Sequence, residues 1–330
     1  MELTTIWFVL IAVLWTGYLV LEGFDFGVGM LMRLLARDEN ERRVLLNTIG
    51  PVWDGNEVWL IVAGGATFAA FPEWYATLFS AYYVPLFVIL VALIVRAVGF
   101  EYRHKRPEAQ WKRRWDAAIV FGSVVPALLW GVALAGIVHG IPLDADHDFV
   151  GSLADLVTPY ALLGGLVTLT VFLTHGAFFV ALKTVGDIRH RARALGLRWG
   201  AVAAVLTLAF VAWTAGRDGD LAVWIAAGVA VATFLAGLAA AGAGREGWAF
   251  TGTAFAIAAV AAMLFLALFP DVMPSTLATG TLTTTTAAST PYTLEIMTWV
   301  AAAFTPIVIG YQAWSYWVFR RRIGVHHIPS

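Results

Sequence analysis

Thr48-Ile-Gly-Pro-Val-Trp53-Asp54-Gly-Asn-Glu57-Val-Trp59 opens a long apolar segment that runs on to about Phe71. Asp54 and Glu57 are three residues apart, so on a helix they share one face. A carboxylate at the centre of a membrane helix costs roughly 2.5–3.5 kcal/mol on insertion scales, and such a pair is therefore expected to have a task. The first apolar segment repeats the spacing with Glu22 and Asp25. Two neighbouring membrane helices are thus expected to bring two acids each inward.

The membrane setting follows from composition. The 330 residues are 60% hydrophobic and only 13% charged, with a mean hydropathy of +0.78. Apolar runs of about 20 residues recur along the whole chain, which predicts an all-α polytopic membrane protein; the runs are continuous, unlike the alternating segments of a membrane barrel. Nine spans are read at about 5–34, 49–71, 77–102, 116–139, 156–182, 198–215, 221–241, 248–269 and 293–319. The start, Met-Glu-Leu-Thr-Thr, lacks a basic region, so the first run reads as a retained span and not as a signal peptide. The connections are too small to form a domain of their own, which leaves residues 1–330 as a single transmembrane domain. Function is then expected within the helices or with a partner.

Charge gives the orientation. The connections after spans 1, 3, 5 and 7 and the C-terminal tail hold 19 of the 21 Lys and Arg, all but Arg96 and Arg217. The positive-inside rule places the N-terminus outside and the C-terminus in the cytoplasm, as an odd number of spans requires. The opposite connections are short, acidic (Asp144, Asp146, Asp148, Asp155) or, at 271–291, Thr-rich; the last reads as a low-complexity linker covering the surface. Spans 6 to 8 are rich in Ala and Gly, the composition of close helix packing.

At about 1.5 Å per helical residue, Asp54, Asp25, Arg96 and His175 fall roughly 8–13 Å in from the arginine-bearing ends of their spans, with Glu22 and Glu57 deeper. The fifteen Leu, Ile, Val and Phe between Ile6 and Leu34 only marginally outweigh the cost of Glu22 and Asp25, so those acids should face other helices, water or a counter-ion. Gly23 and Gly27 beside them permit close helix approach. Two readings compete. In one, Arg96 pairs with Asp25 or Asp54 and the cluster fixes helix packing. In the other, Asp25, Asp54, Glu57, Glu22 and His175 carry protons inward from the cytoplasm, work suited to groups whose pKa is readily shifted. Trp53 and Trp59 pack, or Trp53 walls a cofactor pocket of a neighbouring chain.

Several chemistries are excluded. There is no cysteine, hence no disulfide, thiolate metal site or thiolate-ligated haem. His175 is the one histidine read in the membrane core, and it cannot by itself supply both axial ligands of a low-spin haem. No phosphate-binding glycine loop and no paired histidines at metal-ligand spacing occur, and no metal or nucleic acid is expected.

Three stretches, Glu22-Gly-Phe-Asp-Phe-Gly-Val-Gly29, Ile49-Gly-Pro-Val-Trp-Asp-Gly-Asn-Glu-Val-Trp59 and Arg96-Ala-Val-Gly-Phe-Glu-Tyr-Arg103, resemble subunit II of cytochrome bd-type quinol oxidases. Thr174-His-Gly-Ala177, Met273-Pro-Ser275 and Met297-Thr-Trp299 extend the likeness over nearly the whole chain. The resemblance implies two four-helix bundles plus a ninth helix in a bacterial cytoplasmic membrane. It also implies a partner, subunit I, carrying two haems b and one haem d and the quinol site, in a complex that reduces O2 to water. The present chain would hold no redox centre and would support the haem pocket and line a cytoplasmic proton path. By motif match Asp25, Trp53, Asp54 and Arg96 take positions tied to haem retention or proton delivery. The resemblance allows for small accessory subunits and for a structural lipid quinone that no residue places. This chain departs from some relatives in His175, where Gln also occurs, and in a short connection after span 6; Gln is also allowed at the position of Glu57. The competing functional class is a proton-coupled secondary transporter with midplane carboxylates, which should show a second acid cluster in its other half; spans 5 to 8 lack one. A third is a structural scaffold of ion-paired helices.

Overall fold

The computed structural model describes residues 2–328. Helix α1 (Leu3–Leu34) is the central element. It packs against α3 (Trp53–Ala70), α6 (Ala109–His139), α8 (Pro159–Lys183) and α11 (Glu246–Leu268). Glycine sets how closely it does so. A Cβ built on Gly27 would lie 2.1 Å from the Phe172 carbonyl oxygen and 2.7 Å from the Gly176 Cα, so α1 and α8 cross with their backbones in contact. Gly17 makes room in the same way for the indole of Trp59 on α3.

Between α1 and α3 lies α2 (Glu39–Ile49), capped by the Asp38 carboxylate on the Glu41 amide. It is too polar to enter a bilayer and belongs to the arginine-bearing surface. There Arg103 donates to both oxygens of Glu39 (3.0 and 2.8 Å) and to Asp116 at 2.5 Å, while Lys112 reaches Glu39 at 3.1 Å. Partial burial pushes the Glu39 carboxyl up, but these two cations outweigh it and hold the group below the usual glutamate range.

Pro72 starts a short helix, α4 (Pro72–Ala81), and a break at Tyr82 separates it from α5 (Tyr83–Tyr102). The expected third span is therefore two helices, and the second begins at Trp53 and not near residue 49, because Gly50, Pro51 and Val52 turn the chain after α2. A one-turn helix, α7 (Leu153–Leu156), precedes α8; then come α9 (Asp187–Asp218), α10 (Leu221–Gly242), α11 and α12 (Pro291–Val318). Among the described residues eight helices are long and apolar enough to cross a membrane: α1, α5, α6 and α8 to α12. Helix α3, with 18 residues, is diluted by Asp54, Asn56 and Glu57 and does not join them on composition. The protein is a multi-pass helical membrane protein.

The Thr-rich connection is an ordered lid, which corrects the linker expectation. Strands β1 (Asp271–Met273) and β2 (Leu282–Thr283) pair antiparallel, and Val272, Met273 and Leu282 are wholly buried. The Ser275 hydroxyl accepts from the Leu143 amide and donates to its carbonyl, and the Ser289 amide donates to the carbonyl of Ala70, so the lid is pinned to the 140–150 loop and to the end of α3. The apolar pattern could not reveal this, since the buried residues are only a pair, Val272 and Met273, and a lone Leu282 among threonines.

Helix α12 differs from the rest. Of its 28 residues only Leu294 is buried. It is held at one end by the Trp7 indole, which donates to the Leu294 carbonyl and the Thr298 hydroxyl. At the other end Lys183 donates to the carbonyls of Phe319 and Arg321, and the Ile323 and Val185 amides pair with the Lys183 and Ile323 carbonyls.

Candidate functional site

The ionisable side chains meet where α1, α3 and α5 converge. Glu22 and Asp25, at i and i+3 on α1, are both fully buried. Arg96 on α5 is also without exposure; it reaches there because Gly122 on α6 leaves no side chain in its way, a Cβ at that position lying 2.5 Å from the Arg96 Cβ. Its guanidinium forms an ion pair with Glu22 and a second, at 3.3 Å, with Glu57. The expected pairing with Asp25 or Asp54 is thus replaced by one with the two glutamates. Phe26 and Phe100 lie against the guanidinium, with its central carbon 4.7 and 5.1 Å from their ring centres. Trp53 packs on Phe100 at 5.0 Å, so it acts on Arg96 through that ring.

On α3 the face turned inward is that of Asn56, Ala63, Thr67 and Ala70. Glu57 sits at its edge with 22% of its side chain exposed, and Asp54 is exposed and without a hydrogen bond or ion pair among the described residues. Asp54 therefore does not join the interior cluster as expected. It lies in the first turn of α3, on the arginine-bearing side, one turn from Glu57.

Asp25 is reached by a different route. The Asn56 amide nitrogen donates to Asp25 Oδ2 at 2.7 Å, and the Asn56 oxygen accepts from Gln312 Nε2 (3.1 Å) and from the Tyr316 hydroxyl (2.8 Å) on α12. The Trp59 indole donates to Gln312 Oε1 at 2.7 Å. Asn56, Gln312 and Tyr316 escaped the sequence reading. The signal was a lone amide in the quoted motif and a Gln and a Tyr at i and i+4 near the end of α12.

His175 stands apart. Its Nδ1 bonds the Thr253 hydroxyl at 2.7 Å, its Nε2 bonds the Val20 carbonyl at 3.2 Å, and its ring stacks on Phe250 at 4.4 Å. It is thus bonded to no carboxylate. With both nitrogens engaged it does not fit as a haem ligand, and the described residues hold no cluster of three or more His, Asp or Glu placed for a metal.

Glu22 and Glu57 share one guanidinium, and Glu22 Oε2, Asp25 Oδ1, Arg96 Nε and Arg96 Nη2 have no protein partner although buried. Glu22, Asp25 and Glu57 all charged beside Arg96 would carry a surplus of negative charge at low dielectric, an arrangement in which carboxyls can hold protons.

A multi-pass helical membrane protein with a buried charge cluster, and with one long helix left largely uncovered, is the class these features define. The family model for cytochrome bd terminal oxidase subunit II matches residues 3–319. The chain is similar to cytochrome bd ubiquinol oxidase subunit 2 of Bacillus subtilis (strain 168), 42% identical over 98% of this chain and 97% of that protein. It is also similar to cytochrome bd-I ubiquinol oxidase subunit 2 of Escherichia coli (strain K12), 36% identical over 96% and 94%. In fold it matches a chain of the bd oxidase from Geobacillus thermodenitrificans, with a TM-score of 0.78 at 17% identity, covering 96% of this chain and 99% of that one. The chain belongs to the cytochrome bd terminal oxidase subunit II family.

Proposed function

We propose that this chain supports a haem-bearing subunit I in a bacterial cytoplasmic membrane and lines a proton path toward it. Membership of the family makes it part of a complex that oxidises quinol and reduces O2 to water, a reaction that consumes protons at a buried centre. The two haems b and haem d are assigned to the partner. In this reading α3 also crosses the membrane, giving nine spans with the N-terminus outside: α1, α3, α5 and α6 as one group of four, α8 to α11 as the other, and α12 as the ninth helix.

The observation that carries the reading is the graded burial of the acids. Asp54 is exposed, Glu57 is at the edge and bonded to Arg96, and Glu22 and Asp25 are wholly enclosed. Such a series takes a proton from the cytoplasmic end of α3 to the interior through groups that share one guanidinium. The uncovered aromatic flank of α12, with Trp299, Tyr311, Trp314 and Trp317, is the surface offered to subunit I. A structural lipid quinone would fit the apolar cavity of about 560 Å³ among α1, α3, α4, α5, α6 and α11, where the buried Trp74 indole nitrogen has no protein partner. Small accessory subunits are compatible with this arrangement.

The test is Asp54→Asn in the assembled oxidase. Quinol-driven O2 consumption should fall about tenfold or more, as for loss of a proton-transfer group, or haem d should be lost, while the chain still inserts. Normal spectra together with normal turnover would remove Asp54 from the path and from the pocket.

A further inference from the structure

Asp25 has two oxygens in unlike surroundings. Oδ2 accepts from Asn56, and Oδ1 is buried with no partner in the protein. What fixes this difference can be followed outward, residue by residue, to a group that has only one way to bond.

The Trp59 indole nitrogen carries a proton and cannot accept. Its partner in Gln312 must therefore be the amide oxygen, which leaves the Gln312 nitrogen to face Asn56. That nitrogen is a donor, so the Asn56 atom it meets must be the oxygen, and the Tyr316 hydroxyl donates to the same oxygen. The Asn56 nitrogen is then the atom turned to Asp25. Asn56 is fully buried, out of reach of bulk solvent that could bond in place of these groups. Turning its amide over would set oxygen against the Asp25 carboxylate and nitrogen against two donors. Leaving buried partners unmet in this way costs about 1–3 kcal/mol for each group.

We propose that Trp59, Gln312, Tyr316 and Asn56 form a polarity relay that assigns the Asp25 proton to Oδ1. An N–H always points at Oδ2, so a proton on Asp25 has no place there. It is held on the free oxygen, where it is released without first breaking a bond to the protein. The relay joins α12, the helix least covered by its own chain, to the acid buried on α1. The four residues are positioning residues and take up no proton themselves. The groups facing Asp25 from the packed elements are Glu22 on α1, Asn56 and Glu57 on α3, Arg96 on α5 and Tyr316 on α12.

This inference rests on the reading of Asp25 as a proton carrier, and the experiment separates the two. In the complete oxidase, quinol-driven turnover and the carboxyl C=O stretching band in the infrared are compared for Asp25→Asn, Asn56→Leu and the double variant Trp59→Phe/Tyr316→Phe. The double variant keeps the shape of both rings, and so stands if Asn56→Leu does not assemble. Asp25→Asn should abolish the band that belongs to this acid, and turnover with it. The double variant should displace or broaden that band and slow turnover about tenfold, the order of one lost hydrogen bond to a charged group. Each single ring variant should do much less, because the other donor still orients Asn56. If Asp25→Asn stops turnover while the double variant matches the wild type in band and rate, the relay is overturned and the proton path stands. An Asp25 band absent from the wild type itself also overturns the relay. Normal turnover in Asp25→Asn overturns the proton-carrier reading and the relay with it.

Discussion

The two halves of the molecule are built on opposite principles. Around α1, α3, α5 and α6 the interior holds Glu22, Asp25, Asn56 and Arg96, which must find one another. Around α8 to α11 the helices approach one another at glycines: Gly196 against Phe178, Gly200 against Leu238, Gly237 against Gly252. His175 is the charge-capable residue buried deepest there, and its bonds go to a hydroxyl and a carbonyl. The first half sacrifices packing freedom for chemistry, since a buried charge is tolerated only with its partner in place. The second half confines its buried acid, Glu246, to the arginine-bearing surface, where Arg189 and Arg193 pair with it, and the rest can serve as a rigid wall. The interior charge cluster and the glycine-based helix packing are thus separated along the chain.

The sharpest way to break this contrast is Arg96→Leu. It strands Glu22 and Glu57 without a cation, and losing one partner of a buried pair costs about 3–5 kcal/mol. The expected result is little or no assembled complex, measured as yield and haem absorbance after purification. Next comes Gly176→Leu in the small-residue half. Its Cβ would stand 2.6 Å from the Gly27 Cα, so α8 must leave α1. Thermal stability should fall by about 1–3 kcal/mol, as for overpacking, with the haem spectrum of surviving complex unchanged. If Gly176→Leu instead stops turnover at full stability, the division between the halves is wrong.

His175→Gln is a milder probe. An amide can replace both hydrogen bonds, so turnover should stay within about twofold and stability within about 1 kcal/mol, the worth of a single hydrogen bond. A large loss of turnover would make His175 a proton carrier after all. The smallest effect is expected at the surface. Glu39 is held below its ordinary range by Arg103 and Lys112, so its contribution is present above the usual glutamate value near 4.3 and lost as pH falls through the lowered folded-state value. Acidification should loosen α2 first, seen as faster proteolysis near Glu39, while Glu39→Gln should remove that pH dependence.

Much of this architecture is legible in the sequence. Long apolar runs, the i and i+3 acids of α1 and the glycines at 23 and 27 lead directly to a close-packed helical membrane protein. The partner of Arg96 is not legible, because it depends on where α5 sits along α6, and that register is set by Gly122. Nor is the outward turn of Asp54. Reading the α3 span from residue 49 gives no rotation; the turn at Gly50 to Val52 starts the helix at Trp53, and the buried row then falls on Asn56, Ala63, Thr67 and Ala70. Gln312 lies 256 residues from Asn56, a separation no local pattern can bridge.

The lid over the face opposite the arginines has an electrical consequence. Beneath it, α3 from Val58 to Ala70 and α5 from Tyr83 to Val95 contain no acidic or basic side chain, and the cavity between them is lined by hydrocarbon and aromatic rings. A hydrogen ion taken up at Glu22, as proposed, would meet a thick apolar layer on the side away from the arginines. Such a layer would insulate one compartment from the other and so preserve the membrane voltage.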